Sequence, residues 1–297
     1  MIPVLALLTG ATVWGLIWYP YRVLAQAGVD AALATTLTYV GALVLAVIGF
    51  RPRFRVSWIL LAIALTAGWA NVSFTLAVVY GDVMRVVLLF YLSPLWTILF
   101  ARWILDERLT AGGYGLMLLA LAGAAVMLWQ PHMGWPLPAT AAEWTGASAG
   151  AMFALSNVLI RKNATLSIES KVVAIFFGGI VMGALCVMVL PPARDAWTSV
   201  LDTAWLLGLL ALVILAVNIA VQHGLTQLSA NRAIVIYLFE LVVTAIGAWL
   251  LADEMLSIQE WCGGVMIIAA GLLSDRLGPN PVAEPSARLE SAAAPRS

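Results

Sequence analysis

The chain has 297 residues, of which 63% are hydrophobic and only 10% are charged. Soluble globular proteins carry about a quarter of their residues as charged side chains, so this composition excludes a soluble domain and indicates that lipid is the solvent. Fifteen basic residues balance fifteen acidic ones, and this balance gives no indication of a nucleic-acid partner. We therefore expect an integral membrane protein whose surroundings are a lipid bilayer.

Apolar runs long enough to cross a bilayer recur along the whole chain. A helical span needs about 20 residues, and its backbone must satisfy its own hydrogen bonds in the hydrocarbon core. The sequence therefore predicts an all-α integral membrane protein with ten transmembrane helices. In chain order the ten runs are Pro3 to Leu24, Ala31 to Phe50, Trp58 to Tyr80, Val86 to Trp103, Ala111 to Gln130, Glu143 to Ile160, Lys171 to Leu190, Leu201 to His223, Asn231 to Ala252 and Ile258 to Ser274.

The distribution of basic residues predicts the orientation of these helices. If the N-terminus is cytoplasmic, twelve of the fifteen basic residues fall on the cytoplasmic side, and only Arg22, Arg85 and Arg194 fall outside. This asymmetry follows the positive-inside rule, so we expect both termini in the cytoplasm. Residues 276–297 are rich in Pro, Ala and Ser, and this composition predicts a disordered cytoplasmic tail.

A weak internal repeat divides the chain into two halves. A shift of 147 positions aligns Arg85 to Ala124 with Arg232 to Gly271 without a gap. We interpret residues 1–130 and residues 140–275 as two repeats of five helices each. Because five is an odd number, the two repeats must be inverted relative to each other in the bilayer. Inverted repeats are typical of secondary transporters.

Two acidic motifs and the helices around them resemble a known family. The pattern D-E-x-L-[ST] occurs from Asp106 to Thr110 and again from Asp253 to Ser257. Residues Val83 to Thr110 resemble the fourth helix of the EamA-type ten-helix exporters in the drug/metabolite transporter superfamily, and Ile214 to Ser257 resemble their eighth and ninth helices. The Trp-rich first helix and the length are most similar to the aromatic amino-acid exporters of the YddG type.

The resemblance implies ten helices around a central cavity that opens alternately to either side of a bacterial inner membrane. It also implies that small molecules, amino acids among them, leave the cell through this cavity. Many members carry Glu-Pro in the ninth helix, whereas this chain has Glu240 followed by Leu241, so the kink usual there is not predicted. We expect no cofactor and a monomeric protein.

Tryptophans near the middle of predicted spans are candidates for the transport pathway. Most of the thirteen tryptophans lie near span ends and fit an interfacial aromatic belt. Trp69 and Trp96 instead lie near mid-span, as do Trp14 and Trp18, where lipid offers an indole N–H no partner. Trp14, Trp18 and Tyr21 follow i, i+4, i+7 spacing and share one helical face. This face either lines the pathway or packs against other helices.

Glu240 is the single ionisable side chain deep inside a predicted span. A charge there is costly, so the side chain should face the bundle interior and have a partner. Tyr237 and Thr244 lie on the same helical face, and their repeat mates share a face too. Glu240 either binds a substrate amine or carries a proton, or it is a protonated side chain bonded to another helix. The repeat mates of Tyr237, Glu240 and Thr244 are Phe90, Ser93 and Thr97.

Other polar residues and prolines within spans complete the candidate site. Asn71, Asn157 and Asn218 either bind the substrate or hold helices together. Pro20 and Pro94 interrupt their helices near polar residues and free backbone carbonyls for a ligand, or they only kink the chain. The predicted Trp- and Tyr-lined substrate site also includes Tyr39, Tyr80 and Tyr91, besides Ser93 and Trp96.

The sequence contains no cluster of His, Cys and carboxylate residues with metal-binding spacing, and no phosphate loop or nucleophile elbow. It therefore supports neither an ATPase nor a hydrolase, and we expect transport to be driven by a gradient. Two alternatives to amino-acid export stay open. A multidrug or quaternary-cation exporter would use the same aromatic side chains through cation–π contacts. An intramembrane enzyme or a receptor is a more remote alternative, because one deep acid makes no catalytic pair.

Overall fold

The computed structural model of the protein describes residues 2–50, 57–81, 83–129, 137–189, 196–252 and 257–274. Within these ranges the chain is all-helical and contains no strand, as the sequence predicts. The helices are α1 (Ile2–Leu16), α2 (Trp18–Gln26), α3 (Ala31–Phe50), α4 (Trp58–Tyr80), α5 (Val83–Phe90), α6 (Ser93–Leu105), α7 (Ala111–Leu128), α8 (Ala141–Lys162), α9 (Ile168–Val189), α10 (Ala196–Asp202), α11 (Ala204–Gln227), α12 (Ala230–Tyr237), α13 (Phe239–Ala252) and α14 (Ile258–Leu272).

Each predicted apolar run corresponds to one helix or to two consecutive helices. The first, fourth and ninth runs are each broken in two, as α1–α2, α5–α6 and α12–α13, and the eighth run begins within α10 and continues as α11. By length and composition, seven helical segments of the described chain could cross a membrane, and two shorter apolar segments lie in α4 and α14. Helix α8, which carries Glu143, Arg161 and Lys162, is not among these nine segments. The count of ten crossing helices therefore stays a prediction.

Several helices begin at hydroxyl side chains that cap them. In six cases among the described helices the hydroxyl oxygen of the residue before the helix accepts the backbone N–H three residues later, at 3.1 to 3.4 Å. That N–H has no partner within the helix, so the cap compensates for a bond the helix cannot make. The capping residues are Ser57, Thr110, Thr140, Ser167, Ser229 and Ser257.

The packing of the helices follows a two-fold pattern. Helices α1–α7 form the first half of the chain and α8–α14 the second. Helix α4 packs against α8 and α9, and its equivalent in the second half, α11, packs against α1 and α3. Likewise α6 packs against α8, and α13 packs against α1. Exchanging the two halves therefore reproduces the principal helix contacts, which fits two structural repeats.

Large apolar side chains cover the outside of the helical bundle. Ile48 and Leu118 are 67% and 65% exposed, in helices whose opposite faces are buried. A soluble protein would bury these side chains, whereas a lipid-facing surface requires them. The six tryptophans predicted to form an interfacial belt near the ends of spans are also exposed. They are Trp58, Trp103, Trp129, Trp144, Trp205 and Trp261.

Candidate functional site

A cavity of about 610 Å³ lies at the centre of the bundle. Helices of both halves form its walls, and its volume falls within the roughly 300–1,000 Å³ typical of small-molecule sites. Most of the predicted substrate-binding residues line this cavity. They are Trp14, Trp18, Tyr21, Tyr39, Asn71, Tyr91, Ser93, Asn157, Asn218, Tyr237 and Glu240.

Two prolines lie just after breaks in the helices that line the cavity. Helices α1 and α5 end four residues before Pro20 and Pro94, respectively. Proline has no N–H to donate to the carbonyl four residues earlier, and its ring clashes with that carbonyl. Each helix therefore ends at the residue whose carbonyl group would have accepted that hydrogen bond. Ile17 and Tyr91, which lie in the two breaks, both line the cavity.

The ninth run is also broken, although it contains no proline. Helix α12 ends at Tyr237 and α13 begins at Phe239, so the break falls at Leu238. The Leu241 N–H donates to the Leu238 carbonyl at 3.1 Å, three residues back instead of four. A helix break is thus present where the absence of proline gave no reason to expect one. Leu238 is also 147 positions after Tyr91, so the fourth and ninth runs break at equivalent points of the repeat.

Glu240 lies in the first turn of α13, beside this break, and faces the cavity. The hydroxyl of Tyr91 lies close to the Glu240 carboxyl, so the breaks of the fourth and ninth runs approach each other in the cavity. Tyr237 and Thr244 line the cavity on the same side, as their spacing predicts. Among the lining residues that the structure describes, Glu240 is the one carboxylate, and none is Lys, Arg or His. The cavity therefore offers one acidic group in uncharged surroundings.

Amide and indole groups supply further polar atoms. The hydroxyl of Tyr39 donates to the Asn71 side-chain oxygen at 3.1 Å and so links α3 to α4. The Asn218 amide donates to the Ile214 carbonyl within α11 at 2.9 Å. The indole N–H of Trp18 is buried and meets no acceptor among the described residues. A bound molecule with an acceptor oxygen could satisfy that donor.

Three predicted substrate-binding residues are not part of the described lining. Trp69 is 46% exposed, and its indole donates to the Ser148 hydroxyl at 3.2 Å. Trp96 is 37% exposed and stacks on Phe100, with ring centroids 6.1 Å apart. The side chain of Tyr80 lies outside the described part of the chain. Position near mid-span did not specify which side of the helix each tryptophan would occupy.

The structure adds lining residues to the predicted substrate site. Phe74, Phe90 and Phe153 line the cavity as a cluster of rings, with centroids 4.8 Å apart for the first pair and 5.6 Å for the second. The repeat had indicated Phe90 as the mate of Tyr237, whereas Phe74 and Phe153 carry no signal of this role in the sequence. Gln222 also lines the cavity, and its spacing of i+4 from Asn218 would have placed both amides on one face.

A buried polar cluster closes one end of the bundle. Glu107, in the connection between α6 and α7, lies 3.7 Å from Arg161 at the end of α8. The Arg161 guanidinium donates to the Thr226 carbonyl at 2.5 Å, and the Ala230 N–H donates to the Glu107 carboxylate at 3.0 Å. These four residues, which we call the floor clamp, hold together connections from both halves of the chain.

The floor clamp lies directly beyond the cavity lining. Ile160 and Leu225 line the cavity, and each immediately precedes a clamp residue in the sequence. At the other end of α8, Glu143 pairs with Arg85 at 2.9 Å. These ends of α8 are 18 residues apart, from Glu143 to Arg161, or about 27 Å along a helix. The cavity thus lies between two ion pairs at opposite ends of the bundle.

Known structures support this fold. One solved structure, described only as "Crystal structure of protein", matches with a TM-score of 0.72 and 17% sequence identity, covering 92% of this chain and 99% of that chain. At this identity the similarity shows a shared fold alone. No curated protein matches the sequence. Residues 1–129 and residues 141–274 each match the EamA-like transporter family. The chain therefore belongs to the EamA-like transporter family, whose members are membrane transporters of small molecules.

Proposed function

We propose that the protein is a secondary exporter of neutral amino acids, aromatic ones included, in a bacterial inner membrane. The observation that carries the proposal is the position of Glu240, a lone carboxylate in a cavity of aromatic and amide side chains. A substrate ammonium would pair with this carboxylate, and an aromatic side chain would stack on the surrounding rings. The carboxylate of the substrate would accept hydrogen bonds from indole and amide N–H groups of the cavity, including the indole N–H of Trp18.

The two-fold packing of the helices supports alternating access as the mechanism. The two halves of the bundle make equivalent contacts with each other, and in the proposed membrane orientation they are inverted. A rocking motion that opens one end of the cavity therefore has a counterpart that opens the other. In the present conformation the floor clamp closes one end, which is the cytoplasmic end in the proposed orientation. Export would require this clamp to open and admit substrate.

Uptake of radiolabelled amino acids into liposomes that contain the purified protein tests this proposal. Saturable uptake of phenylalanine, leucine or tryptophan is expected, and empty liposomes are the control. An imposed pH gradient then separates a proton-coupled carrier, whose rate responds to the gradient, from a facilitative one. If no amino acid is taken up by protein that is folded and correctly inserted, the proposal is wrong.

Glu240→Gln tests the role of the lone carboxylate. The substitution keeps the size of the side chain and removes its charge, so the substrate ammonium loses a charged partner worth about 1.5–3 kcal/mol. We expect transport efficiency to fall at least about tenfold while the amount of protein in the membrane stays unchanged. Glu169→Gln, in the first turn of α9 and outside the cavity lining, is the matched control. Normal transport by Glu240→Gln would remove Glu240 from the mechanism.

One observation favours quaternary cations as a second class of substrate. The described cavity lining contains no Lys, Arg or His, so a substrate carboxylate has no cationic partner in this conformation. A cation without a carboxylate needs only Glu240 and the aromatic rings. Cells that gain resistance to a quaternary ammonium compound but show no amino-acid efflux would favour this second function over the first.

A further inference from the structure

Three ionisable side chains are buried beneath the cavity floor. Arg161 is 6% exposed and Lys171 is 0% exposed, and the side chain of Glu107 is 6% exposed. Two of these groups are cationic and one is anionic, so the buried cluster has an excess of positive charge. Arg161 and Glu107 belong to the floor clamp, where they pair with each other. Each also forms a hydrogen bond with one backbone group. Lys171 is not part of that arrangement.

The ammonium of Lys171 has no hydrogen-bond partner among the described residues. Its strongest charged neighbour is Arg161, which repels it. An unpaired ammonium in a protein interior is costly and is retained only where it serves a purpose or gains a partner in another state. No carboxylate of the described residues, Glu107 included, bonds to this ammonium, and an anion that enters from outside the bundle would supply a partner.

The position of Lys171 relates it to the transport pathway. Lys171 and Ile175 are four residues apart in α9 and share a helical face, and Ile175 lines the cavity. Lys171 therefore lies one helical turn beyond the lining, towards the floor clamp. Gln222 lines the same end of the cavity, and its buried side-chain oxygen also lacks a partner among the described residues. Glu107 Oε1 and Asn231 Oδ1 lack a partner too, so four buried polar atoms at this end have unused bonding capacity among the described residues.

We propose that Lys171 binds the carboxylate of the amino-acid substrate when the cavity is open at the floor-clamp end. This inference rests on the proposed export of amino acids and supplies the cationic partner that the described cavity lining lacks. Opening requires the clamp to part, so solute that enters from this side meets the Lys171 ammonium before it reaches Glu240. Lys171 would then select substrates that carry a carboxylate over simple amines.

Lys171 and Glu240 act at successive stages rather than together. Ala230 belongs to the floor clamp, and Glu240 follows it by ten residues through α12 and α13, which corresponds to about 15 Å along a helix. The two charged groups of an α-amino acid are attached to the same carbon atom and cannot span that distance. The carboxylate is therefore held near the floor first, and the ammonium reaches the central carboxylate afterwards.

Exchange transport in liposomes tests this inference with two substrates that differ only in the carboxylate, L-phenylalanine and phenethylamine. Lys171→Met keeps the length of the side chain and removes its charge. We expect KM for phenylalanine to rise about tenfold, as for loss of one charged hydrogen bond, and KM for phenethylamine to change less than about twofold. Lys171→Arg should restore the low KM for phenylalanine. Lys162→Met, at an exposed lysine nearby, should change neither value.

Several outcomes would overturn the inference. Equal changes for both substrates, or no change for either, would show that Lys171 does not recognise the carboxylate. If Lys171→Met does not fold, Lys171→Gln is the second variant and must show the same selective loss. Failure of the wild-type protein to transport phenylalanine would instead reject the proposed function, so the two failures can be told apart.

Discussion

Glu107 shows how burial and pairing compete at a single residue. Its carboxylate lies near Arg161 and accepts the Ala230 N–H, and both contacts favour the charged form. Burial opposes them and is the largest influence, so the pKa of Glu107 is raised above its ordinary value of 4.5. A carboxyl group with a raised pKa binds protons more readily in the folded state than in the unfolded state. Stability from this group is therefore greatest at low pH and is lost as pH rises through 4.5 and above.

Glu107→Gln tests this balance. The variant keeps an acceptor for the Ala230 N–H, but the glutamine side chain cannot titrate. The stability of the variant therefore does not change with pH through residue 107. We expect the wild-type protein to gain thermal stability relative to Glu107→Gln when the pH falls from 7.5 to 5. Melting temperatures of both proteins in the same detergent at each pH measure this difference. A relative loss on acidification would show that the attraction of Arg161 outweighs burial.

At the scale of single residues, helical spacing predicted which side chains line the cavity better than position near the middle of a span did. Helical spacing put Trp14, Trp18 and Tyr21 on one face, and all three line the cavity. Depth in the span was the argument for Trp69 and Trp96, and both lie outside the lining. Position within a span says how far along the helix axis a residue lies. In a helix that is apolar on every side, it does not say which face of the helix the side chain occupies.

Small residues allow a close contact between helices from the two halves of the chain. Gly68 of α4 and Gly178 of α9 lie against each other, and a Cβ atom on Gly68 would lie 2.5 Å from the Gly178 carbonyl oxygen. Real Cβ atoms do not approach a carbonyl this closely, and backbone cannot move aside as a flexible side chain can. The crossing of α4 and α9 therefore depends on glycine at this position.

Gly68→Ala should separate these helices. We expect a loss of about 1–3 kcal/mol in the free energy of unfolding, as for other overpacked interiors, and a lower melting temperature in detergent. Gly115→Ala is the matched control, because a Cβ atom there meets nothing within 4 Å and alanine favours the helix. Equal melting temperatures for the two variants would contradict the close crossing.

Helix breaks could be predicted where a proline causes them and not elsewhere. Pro20 and Pro94 each mark a break four residues earlier, because the chemistry of the ring is local. The break at Leu238 has no such local cause. It depends on packing against other helices, which include Gly15 of α1 next to the Glu240 carbonyl. A contact between the first and ninth runs cannot be read from either segment alone.

For the whole molecule, composition predicted the class of protein and the repeat suggested its symmetry. The all-helical structure and the family match agree with this. The number of crossing helices depends on α8, whose Glu143, Arg161 and Lys162 reduce its apolar character. Glu143 pairs with Arg85 of α5, and Arg161 pairs with Glu107 in the connection between α6 and α7. A helix too polar to be recognised by hydropathy can therefore still belong to the bundle.

Accessibility of single cysteines tests the orientation. In whole cells expressing a protein with Cys186 and Cys262 replaced, a membrane-impermeant maleimide should label Arg22→Cys and not Lys162→Cys. Both positions are exposed in the structure, and the positive-inside rule places them on opposite sides. Lysed cells, in which both should react, are the control. Labelling of Lys162→Cys in intact cells would reverse the orientation or reduce the number of crossings.

The helix breaks of the fourth and ninth runs differ in whether a normal helical hydrogen bond can form again. The fourth run is bent by Pro94, and no change in packing can give that residue an N–H. Its mate, the ninth run, keeps the Leu241 N–H, which now bonds to Leu238 and is chemically able to bond one residue further back. One repeat therefore contains a fixed bend and the other a bend that can straighten. In the proposed transport cycle the two end states would then differ in internal free energy, and the empty carrier would have a preferred resting side.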